Sequence, residues 1–140
     1  MIIKKNVVVV GATGAIGKAF VEYYSKDESI DNIFAFSRKK ISFENRKIKT
    51  FDLDIENQNS IEDAAESIKD YSIDTIIVAS GILHSENFGP EKSIKDINYA
   101  TMTKVLSVNT IGPALIGRYF IPLLRKDTKS VLAFLSARVG

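Results

Sequence analysis

The chain has 140 residues, 45% of them hydrophobic and 26% charged, with a formal net charge of +2. That length suits one domain, residues 1–140, with a real core. So small a charge, carried by scattered lysines, argues against a nucleic-acid partner. With no cysteine and one histidine, neither disulfides nor thiolate or zinc sites are expected. No segment approaches the roughly 20 apolar residues of a membrane span, and the apolar run after Lys4 and Lys5 is too short for a leader. A cytoplasmic setting without a membrane partner is therefore expected.

Val7-Val8-Val9-Val10 is too short an apolar run for a stable helix. It suits a strand buried on both faces, as in a parallel sheet. Gly11-Ala12-Thr13-Gly14-Ala15-Ile16-Gly17 follows directly. Ala15, Ile16, Ala19, Phe20 and Tyr23 then recur at helical spacing, so a helix is predicted to about Lys26. Strand, glycine turn and helix together form a cradle for a nucleotide diphosphate. Gly11 permits the tight turn, and small residues at 14 and 15 let a ligand approach the backbone. Gly17 lets helix and strand pack closely, and the pyrophosphate meets the helix N-terminus.

Ile33–Phe36 reads as the second strand, ending in the basic tip Ser37-Arg38-Lys39-Lys40. Lys47–Phe51 is a third strand, closed by Asp52-Leu53-Asp54-Ile55. Asn57 or Asn59 can cap a helix carrying Ile61, Ala64, Ala65 and Ile68 on one face. Ile73–Ala79 is a fourth strand, and Ser80-Gly81 turns out of it. Residues 82–96 read as irregular, with Gly89-Pro90 as punctuation. One long helix is predicted from Asn98 to Arg125, and a fifth strand from Val131 to Leu135.

This alternation predicts an α/β fold with a doubly wound parallel sheet in the order 3-2-1-4-5. Ligands bind beyond the carboxyl ends of such strands. Those ends here are Gly11–Gly17, Ser37–Arg38, Asp52–Ile55, Ala79–Ile82 and Ser136. The second tip lies beside an adenine ribose, where a carboxylate selects NAD and an arginine accommodates the 2′-phosphate of NADP. It holds Ser37 and Arg38 with no carboxylate, so NADP(H) is the expected cofactor, bound at least about tenfold tighter than NAD(H).

With those ends identified, the chain resembles the short-chain dehydrogenase/reductase family and its Rossmann fold, over essentially its whole length. Val10-Gly11-Ala12-Thr13-Gly14-Ala15-Ile16-Gly17 is similar to that family's T-G-x-x-x-[G/A]-x-G turn, with valine in place of threonine. Asp54-Ile55 resembles its acidic-apolar pair beside adenine, and Val78-Ala79-Ser80-Gly81 stands where it has N-N-A-G. Gly81-Ile82-Leu83-His84 and Gly89-Pro90-Glu91-Lys92-Ser93 resemble the carbonyl-reductase-like branch named after bacterial C-factor. The resemblance implies hydride transfer between nicotinamide and a small carbonyl or alcohol substrate.

Asn109 matches the family's active-site asparagine. Independently, Pro113 follows four residues later and lacks an N–H, which denies the Asn109 carbonyl its usual helical donor and leaves an acceptor for water. Leu135-Ser136-Ala137-Arg138-Val139-Gly140 resembles S-S-x-x-G, with alanine at the second serine. Ser136 comes one residue earlier, so only an irregular strand end lets it serve. None of Tyr23, Tyr24, Tyr71, Tyr99 and Tyr119 has a lysine four residues on. The family's Tyr-x-x-x-Lys follows the fifth strand, so the chain is expected to be truncated at Gly140 and inactive alone. The competing class is a non-catalytic nucleotide-binding module on the same fold.

Other groups read more plainly. Asp52, Asp54 and Glu56 alternate at a solvated strand end rather than a magnesium site. His84 is an acid–base candidate or a surface residue. The helix from Asn98 is apolar nearly all round, which implies a homodimer or homotetramer built on it, or cover by further chain.

Overall fold

The computed structural model describes residues 3–81 and 89–137. Its five strands are β1 (Lys5–Val10), β2 (Ile30–Ser37), β3 (Ile48–Asp52), β4 (Thr75–Val78) and β5 (Val131–Phe134). They form one sheet in the order β3-β2-β1-β4-β5, parallel throughout. The helices are α1 (Ala15–Ser25), α2 (Gln58–Ser67), α3 (Tyr99–Leu106) and α4 (Gly112–Phe120). The expected sheet and strand order are thus found.

The four valines of β1 explain the layering. Val8 and Val10 face a core with Phe34, Phe36, Ile76 and Val78, closed by α2 and α4 through Ile61, Ile116 and Phe120. Val7 and Val9 face the opposite core, with Ile33, Ala35 and Val21 of α1. Both faces are covered, which is why the run lacks polar alternation. Asn57 is the cap of α2, its side chain accepting the Ser60 N–H at 3.2 Å.

β2 is longer than Ile33–Phe36 because a polar ladder secures the amino ends of the strands. Lys49 Nζ donates to Asn32 Oδ1 at 2.7 Å, and Asn32 Nδ2 donates to Asn6 Oδ1 at 2.9 Å. The Asn6 N–H donates to the buried Asp74 carboxylate at 2.8 Å. Arg125 Nε closes the ladder on Asp74 at 2.8 Å.

The single helix expected over Asn98–Arg125 is not continuous. Asn98 caps α3 as anticipated, accepting the Thr101 N–H at 3.0 Å. Ser107–Ile111 then forms a π turn, in which the Gly112 N–H reaches back five residues to the Ser107 carbonyl. Pro113, second residue of α4, cannot donate, and the ladder widens just before it. Pro122 ends the helix similarly: Ile121–Leu123 tightens into a 3₁₀ turn.

Candidate functional site

The glycine turn is tied to two neighbouring strands. Gly11 has φ +86°, a left-handed conformation that glycine adopts without penalty. Its N–H and that of Ala12 both donate to the Phe36 carbonyl, at 2.9 and 3.1 Å. The Ala79 N–H donates to the Val10 carbonyl at 2.8 Å, and the Leu53 N–H to the Ser37 carbonyl at 3.0 Å. Four strand ends are thereby laced together.

Gly17 is buried against this turn, and a Cβ there would lie 2.7 Å from the Gly11 carbonyl carbon. Gly14 is the N-cap of α1 and has no side chain to cap it, and the first turn holds no acidic residue. The first helical residues, Ala15, Ile16 and Gly17, present N–H groups that the helix itself does not satisfy. That end suits a phosphate.

These ends enclose a cleft of about 360 Å³. Gly11, Thr13 and Gly14 line it from the glycine turn, and Ser37, Arg38 and Lys39 from the β2 tip. Ala79, Ser80 and Gly81 line it from the end of β4. Ile55 contributes an apolar wall with Leu53 and Val108. A hollow of about 680 Å³ lies along β3 beyond the same tip, but it shares only Ser37 and Lys39 with the cleft.

Several anticipated residues sit differently. Ala15, Ile16 and Gly17, at the start of α1, are not in the lining, the first two exposed and Gly17 buried. Asp54 is not in the lining; its carboxylate accepts the Glu56 N–H at 3.0 Å and so builds the turn after β3. The Ser37 hydroxyl, expected to donate to a phosphate, donates to the Lys39 carbonyl at 2.6 Å and braces the tip instead. Arg38 and Lys39 are exposed cations at that tip.

Asn109 lies in the π turn, its Oδ1 3.5 Å from where a Cβ on Gly81 would sit. That places it beside the β4 end of the cleft. Ser136 is exposed, beyond the end of β5, and does not line the cleft. Ile82 and His84 lie outside the described residues. Among the described residues no cluster of acidic or histidine side chains has the makings of a metal site.

Glu56, read from the sequence only as part of a solvated strand end, and Lys104, which the sequence did not single out, both line the cleft and form an ion pair. They stand 48 positions apart, and no local pattern joins them.

A family model described as short chain dehydrogenase matches residues 5–140. An uncharacterized oxidoreductase of Schizosaccharomyces pombe is 26% identical over 144 residues, covering 94% of this chain and 54% of that protein. A short chain dehydrogenase family protein from Francisella tularensis superposes with a TM-score of 0.79 at 25% identity, over 94% of this chain and 50% of that one. NADPH-bound carbonyl reductase from chicken fatty liver gives 0.73 at 22% identity, over 88% and 49%. The chain spans about half the length of these relatives. The family match extends over nearly the whole sequence, and it has the glycine turn, sheet order and cleft at its centre: the chain belongs to the short chain dehydrogenase family.

Proposed function

We propose that the protein is an NADP(H)-dependent oxidoreductase acting on a small carbonyl or alcohol. The observation that carries this reading is the cleft itself. An uncapped helix N-terminus and a glycine turn form one end, and exposed Arg38 and Lys39 form another, in a chain of this family. When bound, the nicotinamide supplies the hydride chemistry. The α1 N-terminus holds the diphosphate, Arg38 the 2′-phosphate, and Ile55 and Val108 form apolar walls for adenine. Gly81 and Asn109 flank the β4 side of the cleft and would hold the nicotinamide half. Asn109 orients a proton path at that end, and Ser136 reaches it only through movement of the strand end.

We further assign the protein to the C-factor-like branch, to a cytoplasmic setting, and to a dimer or tetramer formed through α3 and α4. The assembly is supported by α3, which buries no residue and leaves Tyr99 87% exposed. No described helix is long and apolar enough to cross a membrane.

Titration with NADPH and NADH tests the cofactor reading. Wild type should favour NADPH by at least about tenfold, because a charge-assisted hydrogen bond contributes roughly 1.5–3 kcal/mol. Arg38→Ala should remove most of that preference while changing NADH binding little. Equal wild-type affinities, or an Arg38→Ala variant weakened alike for both, would refute it.

A further inference from the structure

Glu56 and Lys104 face each other across the wall of the cleft that Arg38 and Lys39 also line. Among the described residues Glu56 is the only carboxylate in that lining. Its backbone is held from both sides. The Glu56 N–H donates to Asp54 Oδ1 at 3.0 Å. The preceding residue, Ile55, is pressed by Gly112 of α4, where a Cβ would lie 2.8 Å from the Ile55 carbonyl oxygen. Lys104 comes from α3 to meet this preset carboxylate. The two side chains are 23% and 42% exposed, Glu56 the less, so both are within reach of a ligand.

We propose that Lys104 is a cofactor-specificity residue that acts by occupying Glu56. A carboxylate in an adenosine-binding cleft accepts hydrogen bonds from ribose hydroxyls and repels a phosphate on the same ribose. Paired with Lys104, Glu56 does neither, and the remaining lining charges, Arg38 and Lys39, are both positive. Lys104 is thus a positioning residue, and its effect is read through Glu56. The proposal rests on the NADP(H) reading above.

The test is a double-mutant cycle of Lys104→Met, Glu56→Gln and the pair, with Arg38→Ala alongside. Affinities are measured for NADPH, NADH, 2′,5′-ADP and 5′-AMP at low and physiological salt. Lys104→Met should lower the NADPH:NADH affinity ratio about three- to tenfold, the scale of charge interactions near a protein surface. The loss should be larger for 2′,5′-ADP than for 5′-AMP, and smaller at the higher salt. Glu56→Gln should leave the ratio unchanged or raise it, and the double variant should return it to within about twofold of wild type. A purely structural role would weaken all four ligands alike, and adding Glu56→Gln would not repair it. A ratio insensitive to Lys104→Met, or a double variant behaving like Lys104→Met, overturns the proposal. If the ratio then still responds to Arg38→Ala, the NADP(H) reading stands alone; a wild type without preference overturns both.

Discussion

Two glycines of one turn should respond oppositely to the same substitution. At Gly17 an added Cβ falls on the Gly11 carbonyl, 2.7 Å from its carbon. The obstacle is backbone. Gly11 is held at φ +86° and its N–H is bound to Phe36 at 2.9 Å, so it yields only by disturbing β2. Overpacking of this kind costs about 1–3 kcal/mol. Replacing a helical glycine returns about 0.5–1 kcal/mol. Because the obstacle is backbone, the upper end of that cost applies, and Gly17→Ala should lose about 2–2.5 kcal/mol. With a urea slope of about 2 kcal/mol/M, the midpoint falls by roughly 1 M. At Gly14 the nearest atom to a Cβ is 3.6 Å away, at φ −70°, so Gly14→Ala should stay within about 0.5 kcal/mol of wild type. Gly14 lines the cleft, so its methyl should instead weaken nucleotide binding. Urea unfolding and dinucleotide titration of both variants separate the effects. A Gly17→Ala protein as stable as wild type, or a Gly14→Ala protein destabilised by clearly more than about 0.5 kcal/mol, would refute the reasoning.

Arg125→Met should destabilise the protein by about 1.5–3 kcal/mol, the worth of a charged hydrogen bond. It leaves Asp74, 6% exposed, with the Asn6 N–H at 2.8 Å. Chemical denaturation should show part of that loss recovered on adding Asp74→Asn. The Ser29 hydroxyl, and then its N–H, hold the Asp27 carboxyl below its ordinary range. A depressed carboxyl contributes stability that is complete above its unfolded value, about pH 4, and is lost as pH falls through the lowered value. Melting temperatures between pH 5 and 2.5 should thus fall less steeply in Asp27→Asn than in wild type; parallel curves would count against the assignment.

Sheet order and glycine turn were legible because their signals are local. Four valines abutting Gly11 leave few alternatives for β1. The start of β2 was not legible: Asp31 and Asn32 read as loop residues, yet Asn32 is satisfied by Asn6 and Lys49 from the neighbouring strands. Apolar periodicity runs unbroken from Tyr99 to Phe120 and is blind to hydrogen-bond register, so the π turn at Ser107–Ile111 was invisible in it. Ser37 was correctly placed at the tip, but its choice of the Lys39 carbonyl depends on how the chain turns afterwards. Glu56 and Lys104 meet only because α3 and the turn after β3 converge.

The Phe36 carbonyl, which accepts from both Gly11 and Ala12, has a consequence for how a dinucleotide is captured. The residues proposed to hold the diphosphate and those proposed to hold the ribose phosphate hang from one peptide unit. Their spacing is set before any ligand arrives, so engaging the second group costs little additional ordering. Such a rigid double grip acts as a chelate: once one phosphate is held, the other is presented at high effective concentration. On the NADP(H) reading, the intact cofactor should accordingly bind more tightly than either of its phosphate-bearing halves alone.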